Sequence, residues 1–510
     1  MVAQGVLPFQ YEEESRPDGL TALAGLPLYL DLLAAAGLNK WIGRWLHVRP
    51  GRGWTDSEVV GALLLLNLAG GDCVDDLAIL GKDEGFCRVV RKVALHGLRA
   101  AGRAALKRRW RGSQRGAVPS PSAVFRYLEV FHNEESERAR EPGQAFVPAP
   151  NEHLLGLGRV NRELVTFVQS RVPRSSATLD LDATLVETHK SEALYCYKKY
   201  KAYQPQNVYW AEQGLVVHSE FRDGNVPAGY GQLPLLKAGL EGLPAGVQKV
   251  YLREDSAGYD WELLRYCAEG KNERFGVIEF AVAADVTDAF KKAVAELAEE
   301  DWQPLCRTIA GETQQTGQQW AEVCFVPNEA ARKKDGPAYR FLAIREPLAQ
   351  QELPGMAEPA QLPFPTMTFG ERQRYKLFGV VTNRDLPGEA LIWWHRERCG
   401  KAEEAHAIMK DDLAGGRLPS AKFGANAAWW AIVILAFNLH AAMRHLVLGG
   451  PWAEKRLKGI RFALICLPGR VLHHARRLVI RLPADHPALP LLLDARRTIL
   501  ALANAPPAAA

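Results

Sequence analysis

The chain is predicted to belong to the α/β class: a mixed sheet with helices packed on it, preceded by a helical N-terminal region and followed by a helical C-terminal one. Three observations carry this. Between 173 and 285 short apolar-alternating runs are bounded first by turn residues and then by helical periods, which is the order of a mixed sheet. Up to 150, and again from 386, apolar residues recur at helical spacing instead. With 510 residues, 47% of them hydrophobic and 24% charged, the chain is also long enough for several cores.

In order along the chain, Thr55 or Asp56 can cap a helix over SEVVGALLLLNLAG that stops at Gly70-Gly71, and DDLAIL follows as a shorter helix. RVVRKVALHGLRAAGRAALKRRWR interleaves Val89, Val93, Leu95, Leu98 and Leu106 with arginines, so it reads as an amphipathic basic helix ending in the cluster around Trp110. A turn at Pro119–Pro121 then leads into a serine-capped helix with Phe125, Leu128 and Phe131 on one side. Helix, turn and helix beside positive charge suggest a DNA-binding region over 1–150, closed by the acidic connector 133–152. SATLDLDATLVET is the first strand, QNVYWAEQGLVVHSEFRDG two strands joined at Gln213-Gly214, and QKVYLREDS another; YDWELLRYCAEG is a helix and FGVIEFAVAA a strand. These make the first part of the core, 173–285. From 286 to 385 the strand candidates QQWAEVCFVP, AYRFLAIRE and YKLFGVVTN lie between Pro- and Gly-rich loops and form a β-rich insertion. Helix returns at EALIWWHRERCGKAEEAHAIMKDDLAGG, giving a second part of the core over 386–448 and a basic C-terminal segment over 449–510.

Composition excludes several classes. Eight cysteines stand far apart with no CxxC pair, which fits a reducing cytosol better than a secreted disulfide scaffold. The early acids of MVAQGVLPFQYEEESRPDG do not make a signal peptide, so a cytoplasmic location is expected. The uncharged stretch Phe423–Met443 approaches the length of a membrane span, but its Asn426, Asn438 and His440 mark a buried core helix, and no membrane partner is expected. The net charge of +5 hides two concentrations: ten Lys or Arg and no acid from Arg88 to Arg115, and eight and no acid from Lys455 to Ala484. The second includes Arg470, Arg476 and Arg477 beside His473-His474 and is expected to meet DNA backbone or a partner subunit.

Asp182 lies in the first strand and Asp255 in the turn that ends LREDS, the place where α/β sheets gather functional groups. Capping is the ordinary alternative for Asp255. In the helix bounded by Gly400 and Gly415-Gly416, Glu403 and Lys410 are seven positions apart and share a face, because seven residues bring a helix back to within roughly 20°. Glu404 and Asp411 share the same relation. Three converging carboxylates repel and need cations to stay ionised together, and hard oxygen ligands suit Mg²⁺ or Mn²⁺. Two such ions about 4 Å apart serve in-line attack on a phosphodiester, so a basic protein with this set is a nuclease or a DNA strand-transfer enzyme.

TLDLDATLVETHKSEALYCYKKYKAYQPQN, LREDSAGYD and RERCGKAEEAHAIMKDDLAGGRLPSAKFGANAAWW resemble the motifs of DDE transposases of bacterial insertion sequences, in the group numbered thirteen-eighty of the IS-four-like class. The resemblance runs from about residue 10 to 485. It implies a ribonuclease-H-like core whose β-rich insertion precedes the last acidic residue. It also implies that Asp182, Asp255 and Glu403 are catalytic and hold two Mg²⁺ or Mn²⁺ ions, with Asp180 and Glu404 as rivals. Lys410 and Arg398 would contact the backbone phosphate near the cleaved end; Arg398 is displaced by one residue from the family's spacing, and His395 stands where the family has Tyr. Lys198, Lys199 and Lys201, interleaved with Tyr195, Tyr197, Tyr200 and Tyr203, would follow a DNA strand or stack a base, or else form a packed surface hairpin. Arg108, Arg109 and Arg111 are the expected grip on the element's end.

The implied partners are double-stranded DNA, both terminal inverted repeats and target, and a second copy of the chain in a synaptic homodimer. A bacterial, nucleoid-associated location follows. The competing readings are a transposase-derived DNA-binding protein without catalysis and a metal-dependent nuclease that ignores terminal sequence. A glycosidase built on paired carboxylates leaves the basic segments unexplained.

Overall fold

A capping box starts the best-buried helix of the N-terminal region. The computed structural model describes residues 18–48, 53–112, 116–141, 143–309, 311–327, 339–348, 362–369, 373–475 and 477–505. The principal helices of its first part are α1 (Pro27–Ala35), α2 (Leu38–Trp45), α3 (Asp56–Ala69), α4 (Glu84–Ala94), α5 (Ala100–Gly112), α6 (Pro121–Leu128) and α7 (Glu152–Arg171). At the start of α3 the Glu58 N–H donates to Thr55 Oγ1 at 3.2 Å and the Glu58 carboxylate accepts from Thr55 N–H at 2.7 Å. The helix ends at Gly70, whose φ of 96° only glycine adopts without strain. Thr55 is therefore the cap, as the sequence allowed.

The basic stretch is two helices rather than one. Gly97, at φ 69°, breaks it. Before the break α4 buries Phe86, Cys87 and Val89. After it, the side chains of α5 are mostly exposed. In α6 the buried residues are Val124, Tyr127 and Leu128; Phe125 is half-buried, and Phe131 enters the core from a 3-10 turn, Glu129–Phe131, because the helix has already stopped.

The core strands are β1 (Ser176–Ala183), β2 (Gln206–Trp210), β3 (Leu215–Glu220), β4 (Lys249–Glu254) and β5 (Glu279–Ala284), with helices α8 (Gln232–Gly242) and α9 (Trp261–Ala268) between them. Their order in the sheet is β3-β2-β1-β4-β5, antiparallel from β3 to β1 and parallel from β1 to β5. That is the strand order of a ribonuclease-H-like core. Between β1 and β2 the chain makes a small separate sheet from Val186–Glu187, Leu194–Tyr195 and Lys201–Tyr203.

The region 286–385 does not form a sheet of its own. Its strands β6 (Gln303–Ile309), β7 (Glu312–Val323), β8 (Arg340–Pro347) and β9 (Gln373–Thr382) continue the core sheet, with Gly379–Thr382 of β9 antiparallel to Ala281–Ala284 of β5. With the short strand Thr366–Phe369 paired to the start of β9, the result among the described residues is a ten-stranded sheet in which β5 is no longer an edge.

Helix α10 (Gly388–Arg396) leads to α11 (Arg398–Ala407), which is kinked in its first turn, at the glycine expected to bound the helix. Cys399 is extended, at ψ 158°, and Gly400 has φ 71°, so the chain turns there on the one residue that tolerates it. All but Ala431 of the twenty residues of α12 (Phe423–Ala442) are buried. It is apolar and long enough to cross a membrane, yet it lies in the core, where several of its polar groups find partners. Asn438 accepts from Val216 N–H at 2.9 Å and donates to Asn161 at 2.7 Å, and the Tyr29 hydroxyl meets His440 Nδ1 at 2.9 Å. The C-terminal segment is not wholly helical: a hairpin of β10 (Gly469–His474) and β11 (Arg477–Arg481) pairs with Leu20–Thr21 before α13 (Ala488–Asn504).

Candidate active site

Strand alternation puts Leu179 and Leu181 on one face of β1 and Asp180 and Asp182 on the other. In the parallel register Asp180 stands opposite Arg253 and Leu181 opposite Glu254, so the next pair along is Asp182 and Asp255, at the C-terminal ends of neighbouring strands. The two pairs differ completely. Arg253 donates to both oxygens of Asp180, at 2.7 and 2.9 Å, and both side chains are essentially inaccessible. Its remaining nitrogen donates to Trp394 O at 2.7 Å and to Glu397 at 3.0 Å. Asp180 is thus committed to a buried ion pair.

Asp182 keeps 18% of its side chain exposed and has no bidentate partner. Arg398 Nη1 lies 3.6 Å and His406 Nδ1 3.8 Å from its Oδ2. Burial raises its pKa to about 6, Arg398 opposes the shift, and the Asp255 charge adds to it. Asp255 accepts from Ala257 N–H at 2.9 Å and so caps only its own 3-10 turn, Ser256–Gly258; the cap of α9 is Asp260, which accepts from Leu263 N–H at 2.8 Å.

One acidic residue escaped the sequence reading. Glu254 is 1% exposed, and neither carboxyl oxygen has a hydrogen-bond partner among the described residues. Burial, then the neighbouring Asp255, pushes its pKa well above the usual carboxylate range. A Cβ on Gly258 would fall 2.4 Å from this carboxyl, so the turn after Asp255 needs glycine there. The only sequence signal was Glu next to Asp at a strand end. His395 backs the same strand end, its Nε2 2.9 Å from Glu254 O; burial lowers its pKa to about 4 and keeps it neutral.

Helix α11 covers this end of the sheet. Ala402, Ala405 and His406 are buried, whereas Glu403 and Glu404 are exposed. His406 reaches Asp182, and Lys410 Nζ donates to Leu185 O at 3.4 Å, just past the end of β1. Glu403 stands one turn before His406 and Glu404 follows it, both exposed, and the charge of Glu404 is felt by Tyr209, the cross-strand partner of Asp180. Among the described residues no three His, Cys, Asp or Glu side chains converge closely enough to hold one ion, so Asp182, Asp255 and Glu403 do not form such a cluster here.

The positions expected to grip DNA separate clearly. Lys198 and Lys199 are exposed on a turn closed by Cys196 N–H to Tyr200 O at 2.9 Å, with Tyr195 and Tyr197 64% and 73% exposed beside them. Arg108 is exposed on α5. Arg109 donates to Glu58 at 2.7 Å and so supports the start of α3, and the side chain of Arg111 lies outside the described residues. In the second basic segment Arg456 and Lys458 lie 3.1 and 3.5 Å from the fully buried Asp412, and Arg461 donates to the carbonyls of Asn67, Leu68 and Asp412. Arg470 and Arg477 of the hairpin stay exposed, and Arg476 is outside the described residues.

Residues 18–504 match the family model described as transposase DDE domain group 1. No protein of curated function matches the chain. Among solved structures, the piggyBac transposase synaptic complex with hairpin DNA, determined by cryo-electron microscopy, is similar over 88% of this chain and 82% of that one, at 11% identity and a TM-score of 0.45.

Proposed function

The chain belongs to the transposase DDE domain family, group 1, and from that membership we propose that it binds the terminal inverted repeats of a bacterial insertion sequence, cuts the DNA there and joins the 3′-hydroxyls to target DNA. The observation that carries the finer reading is the pair Asp182 and Asp255 on adjacent strand ends, buried enough to lift Asp182 and short of positive charge. Such a pair fits a hard divalent cation. Asp182, Asp255 and Glu403 would hold Mg²⁺ or Mn²⁺, two ions in all, which activate the attacking oxygen and stabilise the leaving one.

The chain's own residues do the positioning. Arg398 and Lys410 rest on Asp182 and on Leu185 O, and a backbone phosphate entering the site is the anion that competes for them. Exposed cations of α5 and the turn at Lys198-Lys199 neutralise the flanking backbone. Two ends must be held together for joining, so a homodimer is the working assembly, and the nucleoid is its place of action.

The DNA on either side of the gene supplies the substrate. Duplexes carrying its flanking inverted repeats, incubated with the protein and Mg²⁺ or Mn²⁺, are expected to be cut at the repeat's tip and joined to a plasmid, while scrambled tips are not. Equal cutting of both would make the protein a general nuclease; specific binding without cutting would make it a DNA-binding derivative.

A further inference from the structure

His406 belongs to a buried chain of hydrogen bonds that has no part in the roles above. The chain begins at the Trp430 indole on α12, which can only donate and does so to Ser219 Oγ on β3 at 3.0 Å. That leaves the Ser219 hydroxyl hydrogen for Asn207 Oδ1 on β2, at 2.6 Å. With its oxygen so engaged, Asn207 presents its Nδ2 hydrogens to His406 Nε2, at 3.2 Å. Nε2 must then accept, and the imidazole proton sits on Nδ1, the nitrogen that faces Asp182 Oδ2 at 3.8 Å.

We propose that this relay fixes His406 in the Nδ1–H tautomer and makes it a positioning residue for the Asp182 carboxylate. The inference rests on the reading of Asp182 as a cation ligand. The gap of 3.8 Å is wider than a direct hydrogen bond, so the N–H acts on Oδ2 through its dipole, beside Arg398 of the same helix. Both groups make their closest approach to the same oxygen. A carboxylate held on one oxygen by protein donors meets a cation in a defined orientation, which is how outer partners tune a ligand. Asp182 and Asn207 are also cross-strand partners, so the relay and its target are tied to one register of the sheet.

Asparagine and glutamine overlap differently with the ring they replace, which makes the idea testable. An Asn side chain can place its amide N–H where Nδ1 is, whereas Gln reaches toward the Nε2 position. Manganese binding is read by electron paramagnetic resonance on the full chain, without DNA and without turnover. His406→Asn is expected to keep Mn²⁺ affinity within about threefold, while His406→Gln and His406→Ala weaken it by roughly 10- to 100-fold. Equal losses in Asn, Gln and Ala would overturn the positioning role.

The tautomer itself is read by nitrogen-15 NMR of histidine-labelled protein. The Nδ1–H form is expected at His406 in the parent chain, moving toward Nε2–H in Asn207→Leu; an Nε2–H form in the parent chain would overturn the relay. Absence of Mn²⁺ binding in the parent chain would strike instead at Asp182 as a ligand, and the tautomer measurement would still decide the relay.

Discussion

Two layers of charge lie one step apart on the same pair of parallel strands. In the inner layer Asp180 and Arg253 satisfy one another so fully that neither meets water. In the outer layer Asp182 faces Asp255, a like charge, with one arginine 3.6 Å away. The residue types are nearly the same; the difference is whether the charge has already been matched by the protein. Matched charge is structure, and unmatched charge at a strand end is available for chemistry.

The contrast breaks most visibly at the inner layer. Asp180→Asn, which leaves Arg253 without its buried anion and only the exposed Glu397 as a charged partner, is expected to destabilise the fold by about 3–5 kcal/mol in urea unfolding. A loss under about 1 kcal/mol would mean that the inner pair is not the mortar it looks to be.

The basic segments repeat the lesson at larger scale. Equal in sequence, they divide in the structure: α5 holds Arg103, Lys107 and Arg108 toward solvent, whereas Arg456, Lys458 and Arg461 are spent on Asp412 and helix-end carbonyls. Replacing Arg103, Lys107 and Arg108 by Ala is expected to weaken end-DNA binding by roughly 10- to 100-fold and to lower the salt slope by about 3, with the melting temperature unchanged. Arg456→Ala should do the reverse, leaving the slope intact and costing about 1 kcal/mol, since its side chain is 42% exposed. Matching changes in slope would erase the distinction between the segments.

How much of this was legible in the sequence follows from what each signal depends on. The strands from Ser176 to Ala284, the Thr55 cap and the turn at Gln213-Gly214 are local patterns, and they stand as read. The placement of Asp182 and Asp255 in the sheet also followed, because a strand end is a local feature. Partnership is not local. Nothing in LDLD distinguishes Asp180 from Asp182 until Arg253 is brought across by the parallel register, and nothing in the basic runs reveals Asp412. For the same reason nothing local shows that the strands of 286–385, read as a β-rich insertion, extend the core sheet from β5. Gly400, which the sequence offers as a helix boundary, is where the chain kinks, in the first turn of α11.

A dependence on pH sharpens the outer layer. The pKa of Asp182 is raised from 3.8 to about 6, so between those values the folded chain holds a proton that the unfolded chain releases. Stability of the cation-free protein should therefore be full below about pH 4 and fall by about 3 kcal/mol as pH rises through 6. Asp182→Asn should lack that fall and be more stable than the parent chain at pH 7 by a similar amount, read by thermal unfolding across pH.

The central claim is that the unmatched carboxylates do the cutting. Cleavage of inverted-repeat duplex by Asp182→Asn and Asp255→Asn, measured beside binding of the same duplex, tests it most directly. We expect cleavage to fall by about a thousandfold or more, equivalent to roughly 4 kcal/mol of lost transition-state stabilisation, with binding within about threefold of the parent chain. Cleavage retained in Asp182→Asn, with binding intact, would contradict it.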